Sequence, residues 1–228
     1  MRLGGLQKLS LIDFPNKLSA IVFTQGCPFR CHFCHNASLV LPEKFSQCIN
    51  EDDFFSFLIS RKNKLDGVVI SGGEPTIQND LINFIEKIKK MDFAIKLDTS
   101  GICPDVLNEL LQKNLLDYVA MDIKAPLENY EKVIGTKVDT KKIQKSINLL
   151  LNSKILFEFR TTLVPQFHNL KDIEAMAQMI KDAPLYILQK FIPESTLSIF
   201  QNNKSFMEKE IDPYIEKAKK HVKNCYYR

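Results

Sequence analysis

Three cysteines crowd into one short stretch, Cys27, Cys31 and Cys34, in the run Gln25-Gly26-Cys27-Pro28-Phe29-Arg30-Cys31-His32-Phe33-Cys34-His35-Asn36. Spacings of four and then three residues let one loop present three thiolates to a single compact metal centre. Iron–sulfur clusters are usually held by four cysteines. Three ligands leave one iron open, and an open coordination position is what a catalytic metal site needs. A structural zinc completed by His32 or His35 draws on the same donors, because Cys₃His is a common closed set. Zinc modules more often split their ligands into two separated pairs, which this chain does not do. Cys48, Cys103 and Cys225 stand alone and read as small apolar residues or idle thiols. A disulfide scaffold would be shorter, richer in cysteine and exported.

A second group, Gly72-Gly73-Glu74-Pro75, combines two residues that allow close backbone approach with a carboxylate suited to a ligand ammonium. Taken alone it is equally a turn. Further along lie Asp98, the pair Asp122 and Lys124, Arg160 and Gln189. The two aspartates could bond ribose or amino groups, and Lys124 could pair with a carboxylate. Mutual salt bridges at a barrel mouth explain the same residues equally well. Arg160 ends an apolar run, where burial without an anion would be costly. His168 and His221 read as a loop residue and a solvated helix residue.

These groups need a scaffold that gathers them. Short apolar runs at Ala20–Thr24, Gly67–Ser71, Ala94–Asp98, Tyr118–Ile123, Leu156–Thr162 and Leu185–Phe191 have the composition of strands buried on both faces. Amphipathic stretches separate them. Asn50, Thr140 and Asn169 are placed to cap helices, and Pro104 and Asp212-Pro213 to start them. Six strands each followed by a helix signify a parallel α/β fold. A complete eight-fold barrel needs about 250 residues, so the 228 residues present fit a partial (β/α)6 TIM-like barrel better. A doubly wound open sheet is the competing arrangement. One domain over residues 1–228 is expected, its core at about 16–192 and its C-terminal helix at about 212–222. The stretch Phe191–Asp212 has the weakest pattern, as a loop or short helix. In either arrangement binding groups collect at the C-terminal ends of the strands, where the cysteines, Gly72–Glu74, Asp98, Asp122 and Lys124 all fall.

The cysteine triplet with its aromatic Phe33 resembles the CxxxCxΦC motif of the radical SAM superfamily, and Gly72-Gly73-Glu74 resembles that family's GGE motif, in the same order and about forty residues on. The resemblance implies a [4Fe–4S] cluster held by Cys27, Cys31 and Cys34, its fourth iron chelating S-adenosylmethionine. It further implies that Phe33 lies near the adenine and that the glycine–glutamate motif binds the methionyl amino group. Reductive cleavage would then give methionine and a 5′-deoxyadenosyl radical. In glycyl-radical activating enzymes, residues similar to Asp98, Asp122, Lys124 and Arg160 lie near the cofactor. Gln189 is a candidate for the ribose, although related activases often carry histidine thereabouts.

A closer likeness flanks the cysteines. Gly5-Leu6-Gln7-Lys8-Leu9-Ser10-Leu11-Ile12-Asp13-Phe14-Pro15 before them and Cys34-His35-Asn36 after them resemble the activating protein of anaerobic ribonucleoside-triphosphate reductase. The likeness spans Gly5 to about Phe191. It departs at Pro28, where asparagine is frequent, without altering the thiolate spacing. It implies hydrogen abstraction from a glycine of that reductase, with a flavodoxin or ferredoxin as electron donor. The alternatives are a small-molecule radical SAM enzyme, such as 7-carboxy-7-deazaguanine synthase, and a non-catalytic zinc module. A formal charge of +4 is too small to imply nucleic acid. No apolar run is long enough for a bilayer, and none resembles a signal peptide, so the expected location is cytoplasmic.

Overall fold

The computed structural model describes residues 1–194, 196–197 and 204–228. Its elements follow as β1 (Leu3–Ser10), β2 (Ser19–Thr24), α1 (Ala37–Val40), α2 (Glu51–Ser60), β3 (Gly67–Gly72), α3 (Leu81–Lys89), β4 (Ala94–Thr99), α4 (Pro104–Gln112) and β5 (Tyr118–Asp122). Then come α5 (Tyr130–Ile134), α6 (Thr140–Leu151), β6 (Leu156–Leu163), α7 (Leu170–Met179), β7 (Tyr186–Lys190), α8 (Asp212–Lys219) and β8 (Cys225–Tyr227). All eight strands join one sheet in strictly sequential order. A doubly wound sheet reverses its strand order at a switch point. A sheet that never reverses is winding as a barrel does, and the fold is a partial TIM-like barrel.

The six expected strands are β2 to β7, in parallel register throughout. Two more extend the sheet. β1 runs antiparallel to β2, and β8 adds a short parallel edge beside β7. Asn50 caps α2 by accepting from the Asp52 amide, and Asn169 forms a full capping box with Asp172 at α7. At α6 the cap is Asp139, one residue before Thr140, because its carboxylate reaches the Lys141 amide. Of the weakly patterned stretch 191–212, residues 195 and 198–203 lie outside the described residues; a 3-10 turn occupies Glu208–Glu210.

Side chains alternate across each strand, and the two faces differ. One face, with Val22, Ile70, Leu97, Met121 and Phe159, packs against Leu58, Ile85, Leu107, Ile147 and Met176 of the surrounding helices. On the other, Phe14, Ile21, Val69 and Tyr118 form a separate apolar plug near the N-terminal ends of the strands. Nearer the C-terminal ends of the strands the same face carries Ser71, Asp98, Asp122 and Arg160. The barrel interior is thus charged at the mouth, and below it the apolar plug is interrupted by buried Lys96 and Glu158.

Candidate active site

The charged mouth meets the cysteine loop around one cavity of about 230 Å³. Its wall includes Cys27, Cys31, Phe33, Cys34, Gly72, Gly73, Glu74, Asp98, Asp122, Lys124 and Arg160, together with Ser71, Thr99, Ser100 and Thr162. Eleven of the twelve residues singled out from the sequence are therefore brought together. Gln189 is the exception: β7 register sets it beside Thr162, which lines the cavity, while Gln189 does not.

Backbone contacts fasten the cysteine loop on three sides. The Gly26 amide donates to the Leu39 carbonyl at 2.8 Å, the Arg30 amide to Ile134 at 2.8 Å, and the Leu197 amide to Cys34 at 3.0 Å. His35 Nε2 bonds the Ile192 carbonyl, and Phe167 of the β6–α7 connection packs on both His32 and Phe33. Cys31 is buried and Cys27 and Cys34 are partly so. Burial, with the charge of Glu74 second, pushes the Cys27 thiol up to about 12. Burial also lifts Cys31 to about 11, against the pull of Lys124. Without metal both are neutral thiols at physiological pH, so metal binding displaces their protons.

The glycine pair has a physical reason visible in the packing. Gly72 has φ of +109°, a region L side chains rarely adopt. A Cβ on Gly73 would lie 2.1 Å from the Gly26 carbonyl oxygen, because the Glu74 amide donates to that carbonyl at 2.8 Å. The glycines let β3's end press directly on the cysteine loop.

Glu74 departs from expectation. Its carboxylate is buried, and its oxygens are already taken by protein donors. Oε1 accepts from the Thr76 amide at 3.1 Å, the Thr76 hydroxyl at 2.5 Å and the Thr99 hydroxyl at 2.7 Å. Oε2 accepts from the Ser100 amide at 2.7 Å and from the Ser100 hydroxyl. A carboxylate offers about four lone-pair sites, so no acceptor is left for a ligand ammonium. Glu74 ties the end of β3 to the end of β4, a pairing no local sequence pattern announces.

The remaining charges form an alternating array. Lys96 meets Asp98 Oδ1 at 2.5 Å, and Arg160 reaches Asp98 Oδ2 at 3.4 Å and Asp122 Oδ1 at 2.9 Å. Lys124 meets Asp122 Oδ2 at 3.2 Å, and its ammonium lies 5.9 Å from the Phe33 ring centre. Burial opposes ionisation of both aspartates, but Arg160 and Lys96 hold Asp98 below the usual carboxylate range. Arg160 and Lys124 hold Asp122 down at about 2. The same carboxylates raise Lys124 and Arg160 against their own burial. Of these charges Lys124 and Arg160 line the cavity beside Asp98 and Asp122, so cationic and anionic groups of a ligand can each meet a partner there.

His168 lies in the β6–α7 loop, as its sequence reading has it, but it is not exposed there. It is 2% exposed, Nδ1 accepts from the Val164 amide at 3.0 Å, and Nε2 donates to the Lys124 carbonyl at 2.9 Å. Burial lowers its pKa. Sequence reasoning likewise passed over Ser71, Lys96, Thr99, Ser100 and Thr162. Hydroxyl residues at successive strand ends were the available signal. Of the lone cysteines, Cys225 is buried, Cys103 half-buried and Cys48 exposed.

The donor set fits a cluster better than a single ion. The three thiols come from one loop and share one cavity, with no fourth cysteine among the described residues of its wall. A [4Fe–4S] cluster places each thiolate on a different iron, which requires ligands further apart than a zinc shell.

A barrel that opens at its strand ends onto three cysteines and alternating charges has the layout of a parallel α/β enzyme site. Comparison with known proteins makes the class specific. Streptococcus suis SuiB bound to S-adenosylmethionine shares the fold with a TM-score of 0.71 at 14% identity, over 91% of this chain and 49% of that one. Residues 21–180 match the model of the radical SAM superfamily. A Methanocaldococcus jannaschii protein named as a glycyl-radical enzyme activating enzyme is 35% identical over 99% of this chain and 95% of its own. The pyruvate formate-lyase-activating enzyme of Staphylococcus aureus is 30% identical over 75% of this chain and 71% of its own. The chain belongs to the radical SAM superfamily, within it to the glycyl-radical enzyme activating enzymes. Its cofactors are a [4Fe–4S] cluster and S-adenosylmethionine, and its substrate is a glycyl-radical enzyme. Of the three readings left open by the sequence, the activating enzyme is the one this membership supports.

Proposed function

We propose that this enzyme activates an anaerobic ribonucleoside-triphosphate reductase by removing a hydrogen atom from one of its glycines. The observation that carries the reading is the cysteine loop with its flanks, Gly5–Pro15 before it and His35-Asn36 after it. In this reading Cys27, Cys31 and Cys34 hold the cluster. When bound, cluster and S-adenosylmethionine together supply reductive carbon–sulfur cleavage and the hydrogen-abstracting species. The chain's own residues bind, orient and exclude water. Carbonyls of the Gly72–Gly73 turn and the Asp98 carboxylate receive the ammonium of S-adenosylmethionine. Lys124 and Arg160 face its carboxylate, and Phe33 packs against the adenine. Glu74 acts by fixing the ends of β3 and β4. A flavodoxin or ferredoxin delivers the electron, in the cytoplasm, and residues 1–228 act as one domain. No helix among the described residues is long and apolar enough to cross a membrane.

A second reading has its own support, because a relative at 30% identity is named for pyruvate formate-lyase. The test is anaerobic incubation of the reduced, reconstituted enzyme with each polypeptide in turn. An electron paramagnetic resonance doublet on the reductase, and none on the lyase, supports the first reading. The reverse pattern overturns it.

A further inference from the structure

Lys96 lies on the interior face of β4, two residues before Asp98 and one pleat below it. It is 2% exposed. Among the described residues its ammonium has one hydrogen-bond acceptor, Asp98 Oδ1 at 2.5 Å. A buried ammonium is costly, and an apolar side chain would fill the same space without that cost. The other neighbours of Asp98 show what the lysine changes. Oδ2 accepts from the Ser71 hydroxyl at 3.0 Å and faces Arg160 Nη1 at 3.4 Å. Arg160 itself sits closer to Asp122, at 2.9 Å. Asp98 is therefore stretched between two cations. Without Lys96 the remaining charged partner of Asp98 is Arg160, on Oδ2, and no cation holds Oδ1. With Lys96 in place, three of about four lone-pair sites are occupied, and one is left on a carboxylate that lines the cavity.

We propose that Lys96 is a positioning residue for cofactor binding, which holds the Asp98 carboxylate aimed at the ammonium of S-adenosylmethionine. The inference rests on the reading of Asp98 given above. It makes a prediction of definite sign. A lysine acting only through its charge repels a nearby ammonium, so its removal would tighten binding. A lysine that aims the carboxylate does the opposite. A lysine needed only for folding affects every ligand of the cavity alike.

The experiment measures equilibrium binding to the anaerobically reconstituted protein, by dialysis. Two ligands are used: S-adenosylmethionine, and the analogue carrying hydrogen in place of the α-amino group. Lys96→Met is expected to weaken S-adenosylmethionine about tenfold while changing the analogue by less than about twofold, the loss of roughly one charge-assisted bond. Lys96→Arg restores most of the difference. Where Lys96→Met does not take up iron, Lys96→Gln, which still donates to Oδ1, gives an intermediate loss with the same selectivity. Unchanged or tighter binding of S-adenosylmethionine, or equal losses for both ligands, overturns the proposal. Asp98→Asn separates the two layers. If it shows the selective loss and the Lys96 variants do not, only the role of Lys96 fails. If it shows none, the reading of Asp98 fails and the proposal with it.

Discussion

Replacing Glu74 with alanine removes the acceptor of five donors at once, and the structure indicates how much that costs. Three of the donors are hydroxyls, on Thr76, Thr99 and Ser100, which can rotate toward other acceptors. Two are backbone amides, of Thr76 and Ser100, fixed in direction and buried. Each buried amide left unpaired costs about 1–3 kcal/mol, so Glu74→Ala is expected to lose about 4 kcal/mol of stability. A domain of this size has a urea dependence near about 3 kcal/mol per molar, which makes the shift in midpoint roughly 1–1.5 M. Glu74→Gln keeps an acceptor but turns an amide donor toward other donors, and is expected to lose about half as much. The assay is urea unfolding of the cluster-free protein, followed by circular dichroism. A midpoint for Glu74→Ala within about 0.3 M of the parent, combined with lost affinity for S-adenosylmethionine, would refute the reasoning. Glu74 would then be a ligand of the cofactor and not a brace between strands.

Other perturbations reach the remaining parts of the site. Cys31→Ser is expected to abolish both the broad visible absorbance of the reconstituted protein and cleavage of S-adenosylmethionine; full cleavage by the variant contradicts the cluster assignment. Gly73→Ala places a Cβ against the Gly26 carbonyl, forcing the cysteine loop away, and should lower iron bound per chain after reconstitution. Because Asp122 is held at about 2 in the folded state, below the ordinary value near 3.9, it contributes stability that is complete above about pH 4. That contribution, roughly 2 kcal/mol, disappears as pH falls toward 2; Asp122→Asn should flatten this acid limb of the stability curve. His168, kept neutral by burial, works in the same direction at higher pH. Below about pH 6.5 the unfolded chain takes up a proton that the folded chain refuses, so stability falls, and His168→Asn should reduce that slope.

The parts legible from sequence share a physical cause. Strands β2 to β7 are covered on both faces, so they read as continuous Val, Ile and Leu runs. β1 has a mixed burial pattern along an edge, so it lacks the apolar run of a strand covered on both faces. β8 has three residues and α5 five, too few to show a period. The cavity residues were legible because strand ends converge in any parallel α/β fold, so position along a strand translates directly into place. What side chains do to one another was not. Glu74 is matched by Thr99 and Ser100 about twenty-five residues away, and Lys96 looks like any strand lysine until its pleat is seen to stack on Asp98. His168 is a loop residue whose burial the sequence does not reveal, because its two partners, at Val164 and Lys124, come from separate strand ends.

The central claim concerns where a hydrogen atom goes. The direct measurement uses the ribonucleoside-triphosphate reductase prepared with glycine deuterated at its α-carbon, incubated anaerobically with the reduced enzyme and S-adenosylmethionine. Mass spectrometry then reads the 5′-deoxyadenosine formed. Deuterium in that product, in step with a glycyl radical on the reductase, is the predicted result. Product without deuterium from a reductase that carries no radical would contradict the assignment of this protein as its activase.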